Sequence, residues 1–209
     1  VCDKDYRAAY ETIARTNPDG SNHDISLLDG FLNPPSYTQG GTLNAQQAAG
    51  SIIMGMSDQT GNELDEFVTD TLRNNLLGLP LDLPTINMTR ARSEGIPPLN
   101  VVRRQIFNTT NDGQLTPYTS WVDFGENIKH PESLTNFVAA YGKFPSIASA
   151  TTAAAKRTAA TAVVTAANTP GSAESAFMHS SGAWANVNGR SITGLDDVDA
   201  WVGGLAEKT

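Results

Sequence analysis

Residues Asp82–Asn100 read DLPTINMTRARSEGIPPLN, and this stretch is the most informative part of the chain. It places the amide of Asn87 three residues before Arg90, so a helix here would put both side chains on one face. An amide and a guanidinium on one face can bind the acceptor groups and the carboxylate of a ligand together. The same spacing is compatible with a polar turn held by arginine hydrogen bonds, and both interpretations stay open.

The segments on either side of this stretch carry helix signals. GNELDEFVTDTLRNNLLG, residues 61–78, predicts a helix that Asn62 caps and Gly78 ends, because its apolar residues recur at helical spacing. Pro97 and Pro98 predict the start of a helix that runs toward Phe107.

The upstream part of the chain is also read as helical. The apolar stripe in DKDYRAAYETIAR comprises Tyr6, Ala9, Tyr10 and Ile13. DISLLDGFL predicts a short helix that ends at Asn33, because two prolines follow, and a longer helix is predicted over Ala45–Met56.

The downstream part continues this pattern. Ser120 and Asp123 form a capping pair, and the helix in PESLTNFVAAYG should end at Gly142. The Ala/Thr-rich segment 146–168 is either a helix with a small-residue face or a flexible segment. LDDVDAWVGGLAEK predicts a helix with acids in its first turn, Asp196, Asp197 and Asp199, and a stop at the glycine pair 203–204. The class is mainly α with little or no β, and residues 1–209 are expected to form one domain.

Composition and charge disfavour several classes of partner. The chain has 209 residues, a formal net charge of −8 and no run of Lys or Arg, which disfavours binding to nucleic acid or to anionic membranes. It contains no apolar run near the length of about 20 residues that a membrane span requires.

Its one cysteine, Cys2, cannot form an internal disulfide. A start at Val1 is what a processed product or a piece of a longer polypeptide would show.

The residues do not form a complete catalytic site. The three histidines, His23, His130 and His179, lie in no zinc-binding spacing. Asp19 and its neighbours resemble part of a calcium loop, but the bidentate Glu at position twelve is missing, so an Asx-type turn is expected.

An ordered series of motifs resembles a known family. Glu63–Asn100 resembles the core of the animal-type haem peroxidases, of the peroxidase–cyclooxygenase superfamily, and is most similar to the secreted bacterial branch. The family pattern LPAxNxxRxRDxGxPxYN is matched at Leu83, Pro84, Asn87, Arg90, Arg92, Gly95, Pro97 and Asn100. Further matches are ETIARTNPDG, DISLLDGFLNP, PYTSWVDF, HPESLTNFVAAYG and LDDVDAWVGGLAEK, which together cover roughly Glu11–Lys208.

The resemblance implies haem as cofactor and peroxide-dependent oxidation of halide or organic donors. By position, Asn87 corresponds to the amide that accepts a hydrogen bond from the proximal histidine, and Arg90 to the arginine that pairs with a haem propionate. Arg92 and Gly95 would have structural roles beneath the haem.

The chain also departs from the family pattern. Tyr6 lies near the position expected for the proximal histidine, and the family's distal residues fall upstream of this sequence. The resemblance therefore implies a C-terminal-side portion of a secreted or extracellular peroxidase domain. Its expected partner is the remaining portion or a second chain, and self-association is a further expectation. The alternatives are a catalytically inactive structural or interaction module that binds no haem, and an unrelated small-molecule binding domain.

Overall fold

The computed structural model describes residues 12–59, 63–74 and 78–208. The chain divides into two compact units, residues 1–87 and residues 88–209. Both units are built mainly of helices, which confirms the predicted class, and the strands of the described part form one two-stranded sheet. No helix within the described ranges is long and apolar enough to cross a membrane.

The first unit combines a small antiparallel sheet with short helices. In the sheet, Thr12 pairs with Ser26 and Ile13 with Ile25. The elements in chain order are β1 (Thr12–Ile13), β2 (Ile25–Ser26), α1 (Leu27–Leu32), a 3-10 stretch (Pro34–Gly41), α2 (Ala45–Asp58) and α3 (Asp70–Arg73).

Helix α2 begins at a complete capping box. The Asn44 side chain accepts the backbone N–H of Gln47, and the Gln47 side chain accepts the backbone N–H of Asn44. The helix buries only small residues, and a Cβ added at Gly55 would lie 2.5 Å from the Ala14 carbonyl oxygen. Glycine at this position therefore allows the helix to approach the backbone of the chain that follows β1.

The second unit is a helical assembly with an aromatic core. The rings of Phe124 and Phe137 lie 5.1 Å apart and edge to face, and Trp121 packs against Phe124 in the same manner. The helices are α4 (Leu83–Ser93), inside which the division between the units falls, α5 (Leu99–Thr110), α6 (Trp121–Glu126), α7 (Ser133–Tyr141), α8 (Pro145–Ala148), α9 (Ala153–Thr165), α10 (Ala173–Met178) and α11 (Ala200–Ala206).

Most of the predicted helices are confirmed. Helix α1 ends at the Asn33 break, α5 follows the proline pair, and α7 ends at Gly142. The Ser120 side chain caps α6 by accepting the backbone N–H of Asp123. The Ala/Thr-rich segment forms α9 over Ala153–Thr165, which is shorter than predicted.

The helix predicted over residues 61–78 is wrong for most of its described length. Residues 63–69 are not helical, and only α3 forms. The Asp65 carboxylate accepts the backbone N–H of Phe67, and the Thr69 hydroxyl accepts that of Thr71. Such local bonds from side chain to backbone compete with the helix, so propensity and periodicity did not decide the outcome. The predicted cap, Asn62, lies outside the described residues.

Two further helix predictions need correction. The stripe predicted at the start of the chain lies mostly outside the described residues, and its described member Ile13 is in β1 because it pairs with Ile25. Helix α11 continues through Gly203 and Gly204 instead of stopping there. A Cβ added at Gly203 would lie 2.8 Å from Leu99 Cδ2, so Gly203 serves close packing and not termination.

Candidate functional site

Helix α4 holds both residues that the sequence singled out. It starts where the Asp82 carboxylate accepts the backbone N–H of Thr85 at 2.9 Å. It ends at Ser93, and Gly95 beyond it has a φ of +77°, the left-handed conformation. The backbone N–H of Ile96 donates to the Ala91 carbonyl at 2.9 Å. Of the two interpretations that the sequence left open around Asn87 and Arg90, the helix is therefore present.

Asn87 and Arg90 share one face of α4 because they lie three residues apart. Asn87 is half-buried and Arg90 is exposed. Neither side chain forms a hydrogen bond or an ion pair with any residue that the structure describes. The face thus presents one amide and one guanidinium, which can accept one hydrogen bond and bind one carboxylate.

Arg92 has a different role from Arg90. Its Nε donates to Asp199 Oδ1 at 2.8 Å and its Nη2 to Asp199 Oδ2 at 2.6 Å. This is the two-point geometry in which a guanidinium binds a carboxylate most specifically. The Asp199 side chain is only 9% exposed, whereas that of Arg92 is 64% exposed. Hydrogen bonds from Arg92, assisted by one from Tyr141, lower the pKa of Asp199 despite its burial.

Tyr141 completes this group by donating its hydroxyl to Asp199 Oδ2 at 2.7 Å. Burial raises the pKa of Tyr141, and the carboxylate acceptor raises it further. The Tyr141 ring stacks on Phe137 with centroids 6.5 Å apart, which ties the group to the aromatic core. We call Arg92, Asp199 and Tyr141 the arginine clamp. A cavity of about 380 Å³ lies beside it, lined by the clamp with Ile96, Pro98 and Asp197.

A second connection joins the start of α5 to the segment before α11. The Asn100 amide donates to Asp196 Oδ1 at 2.6 Å and to the Tyr118 carbonyl, and its oxygen accepts the Tyr118 backbone N–H at 2.8 Å. The backbone N–H of Leu99 donates to the Val198 carbonyl at 2.8 Å. Asn100 is 1% exposed, so three hydrogen bonds satisfy a buried amide.

A third connection centres on Glu207 at the end of α11. Its Oε1 accepts from Arg103 Nη1 at 2.5 Å and from the Tyr118 hydroxyl at 2.8 Å. The Arg103 guanidinium carbon lies 4.3 Å from the centroid of the Tyr118 ring. Burial and the Glu207 carboxylate raise the pKa of Tyr118. The segments DLPTINMTRARSEGIPPLN and LDDVDAWVGGLAEK are thus bound to each other.

Asp196 and Asp197 lie in a first turn, as the sequence predicted, but this turn belongs to a 3-10 helix (Leu195–Asp197) that precedes α11. Asp199 occupies the N-cap position of α11 without a side-chain capping bond, and its carboxylate binds Arg92. Asp196 binds Asn100, and Asp197 pairs with Lys143 at 2.7 Å. No local spacing could have revealed these pairs, because each partner lies more than 50 residues away in the sequence.

The suspected calcium loop is an Asx turn, as expected. Asp19 Oδ1 accepts the backbone N–H of Ser21 at 2.9 Å and its hydroxyl at 2.6 Å. These bonds lower the pKa of Asp19. Asp24 instead accepts the backbone N–H of Arg15 at 3.0 Å. Asp19 and Asp24 therefore have structural partners within the chain.

Comparison with known proteins assigns the greater part of the chain, including α4, to a known family. The sequence model of the family described as "Animal haem peroxidase" matches residues 6–167. This range contains α4 and ends before the Asp196–Asp199 segment. Searches of curated proteins and of solved structures gave no match.

Proposed function

Since the chain belongs to the animal haem peroxidase family, we propose that it forms part of a haem-dependent peroxidase and supports the haem on its proximal side. Asn87 and Arg90 on α4 are the residues that would do so. The family match supports a peroxidase-like function, and the unpartnered face of α4 is the observation that carries the assignment of residues.

The donor set of this face fits a haem group. Arg90 is exposed and has no carboxylate partner among the described residues, so its guanidinium is available to a propionate. Asn87 offers an amide oxygen on the same face, which can accept the N–H of an imidazole. Helix α4 has no buried residue, so this face is not committed to a core within the described structure.

Each residue has one role in this proposal. Arg90 binds a propionate and fixes the position of the ring edge. Asn87 accepts the N–H of an axial imidazole, which sets the orientation of that ring and raises its basicity. When bound, haem supplies the redox chemistry by which hydrogen peroxide oxidises halide or organic donors.

The axial and distal residues would come from outside the described site. Tyr6 stands near the family's proximal histidine position and lies outside the described residues. We propose that a remaining portion of the peroxidase domain, or a second chain, provides the missing groups. The proposal includes a single domain over residues 1–209 and a secreted or extracellular location, in a protein similar to the secreted bacterial branch.

The alternative is a catalytically inactive module that binds no haem. The observation in its favour is that Tyr6, and not a histidine, lies near the position at which the family pattern has its proximal histidine. The two proposals make opposite predictions for haem binding, and one titration distinguishes them.

The test is a titration of the purified chain with haemin in the presence of imidazole, which substitutes for the proximal histidine. A saturable Soret shift is expected for the wild type. Arg90→Ala should weaken haemin binding by about 10-fold or more, because a charge-assisted hydrogen bond contributes about 1.5–3 kcal/mol. Arg157→Ala, which changes an exposed arginine on α9, is the matched control and should bind as the wild type does. If no saturable Soret shift occurs, the chain does not support haem and the inactive-module alternative holds.

A further inference from the structure

The arginine clamp binds α4 on the side opposite the proposed haem-binding face. An α-helix turns by about 100° per residue, so Arg92 points about 170° away from the middle of the Asn87–Arg90 face. The clamp and the proposed ligand therefore lie on opposite sides of α4. A contact at this position controls how the helix is rotated about its own axis.

The clamp is suited to fix that rotation. A two-point bond between a planar guanidinium and a carboxylate restrains orientation as well as distance, which a single hydrogen bond does not. Asp199 is restrained in turn by the Tyr141 hydroxyl and by its own carbonyl, which accepts the backbone N–H of Gly203 at 3.0 Å. Tyr141 belongs to α7, whose residue Phe137 lies in the core.

Packing restrains the orientation of α4 less than it does in a core helix. The helix has no fully buried residue, and its apolar residues Leu83, Ile86 and Met88 are only half-buried. Arg92 lies in its last turn and connects it to a residue 107 positions away in the sequence. The clamp is thus a specific side-chain link between the helix and a distant part of the second unit.

We propose that Asp199 and Tyr141 are positioning residues, which act through Arg92 to direct the Asn87–Arg90 face of α4 toward the haem. The inference rests on the proposed function. Neither residue touches the haem, and each affects haem binding only through the orientation of the helix. Loss of the clamp should therefore weaken haem binding only in a chain that retains Arg90.

The experiment compares four variants of the full chain. Asp199→Asn removes the charge at nearly constant volume, and Arg92→Lys keeps the charge but loses the planar fork. Tyr141→Phe removes only the hydroxyl. Asp197→Asn is the matched control, because it makes the same change two residues away in an ion pair whose side chains are 54% and 55% exposed.

The first measurement is hydrogen exchange of peptides that cover Leu83–Ser93, without haemin. Asp199→Asn and Arg92→Lys should increase exchange in α4, with a smaller increase for Tyr141→Phe and none for Asp197→Asn. Unchanged hydrogen exchange in both Asp199→Asn and Arg92→Lys would overturn the inference, whatever the haemin affinities of these variants are. This arm does not depend on the proposed function.

The second measurement is a double-mutant cycle on haemin affinity with imidazole present. Asp199→Asn alone should weaken binding by about 10-fold, the lower end of the effect of residues that support a ligand indirectly. In the Arg90→Ala background it should have little further effect, because the residue being positioned is gone. Equal losses in both backgrounds would show a general structural effect and overturn the inference. Failure of the wild type to bind haemin would instead overturn the proposed function and, with it, the role in positioning.

Discussion

Arg92 and Asp199, 107 residues apart in the sequence, form a two-point ion pair with N–O distances of 2.8 and 2.6 Å. The pair joins the end of α4 to the start of α11. Its carboxylate is buried while its guanidinium remains largely in solvent, so the two residues differ in what their loss would cost.

Removal of the cation should destabilise the second unit moderately. In Arg92→Ala, the buried Asp199 carboxylate loses both hydrogen bonds from the guanidinium. It keeps only the Tyr141 hydroxyl among its described side-chain partners. We expect a loss of about 1–2 kcal/mol in the free energy of unfolding, between the values for exposed and for buried pairs. Urea denaturation followed by tryptophan fluorescence measures it.

Lys143→Ala provides the control for that measurement. Lys143 pairs with Asp197, and both side chains are more than half exposed. Its loss should change the free energy of unfolding by less than about 0.5 kcal/mol. Equal effects of Arg92→Ala and Lys143→Ala would mean that the clamp contributes no more than an ordinary surface pair.

The stabilisation from Asp199 should disappear in acid. Its pKa is lowered in the folded state, chiefly by the hydrogen bonds from Arg92, so its contribution is present above the unfolded pKa of about 3.9. It is lost as the pH falls through the lower folded pKa. The difference in free energy of unfolding between wild type and Asp199→Asn should be constant at neutral pH and shrink below about pH 4. A difference that stays constant into acid would show that the carboxylate charge is not the source.

Gly194 should tolerate no side chain. Its φ is +100°, and an added Cβ would lie 2.0 Å from the carbonyl oxygen of Tyr141. We expect Gly194→Ala to lower the free energy of unfolding by about 2–5 kcal/mol, from backbone strain together with the clash. Thermal unfolding measures the loss.

Gly204→Ala is the contrasting change. Gly204 lies within α11, and an added Cβ would meet no atom within 4 Å. Alanine is favoured over glycine in a helix by up to about 1 kcal/mol, so this variant should be neutral or more stable. If both variants lost the same stability, the close approach at Gly194 would not be the cause.

Asn87→Ala should change the properties of the iron in the haem-loaded chain with imidazole as ligand. Loss of the amide oxygen removes the hydrogen bond that makes the imidazole a stronger donor, so the reduction potential should rise. Spectroelectrochemistry measures the midpoint. Asn108→Ala, an exposed asparagine on α5, is the control and should leave the potential unchanged. An unchanged potential in Asn87→Ala would show that this amide does not contact the axial ligand.

Local signals in the sequence predicted a large part of the fold. Capping at Ser120 and termination at Gly142 depend on residues within a few positions, so their patterns were sufficient. The helix predicted over 61–78 failed because Asp65 and Thr69 bind nearby backbone groups, an outcome that apolar periodicity does not report.

The candidate functional site was predictable from the sequence only in part. Helical spacing would put Asn87 and Arg90 on one face if the segment were a helix, a condition that the sequence left open and α4 meets. The partners of Asp196 and Asp199 were not predictable, because acids before a helix have an adequate local explanation in the helix dipole. Only the tertiary fold brings Asn100 and Arg92 to them.

The most direct test of the account is to locate haem on the protein. Ferric haemin broadens the NMR signals of nearby amides, and zinc protoporphyrin is the diamagnetic control. With imidazole present, the account predicts that broadening is strongest around Asn87 and Arg90 on α4. Broadening centred elsewhere, or none at saturating haemin, would contradict the claim that this face supports haem.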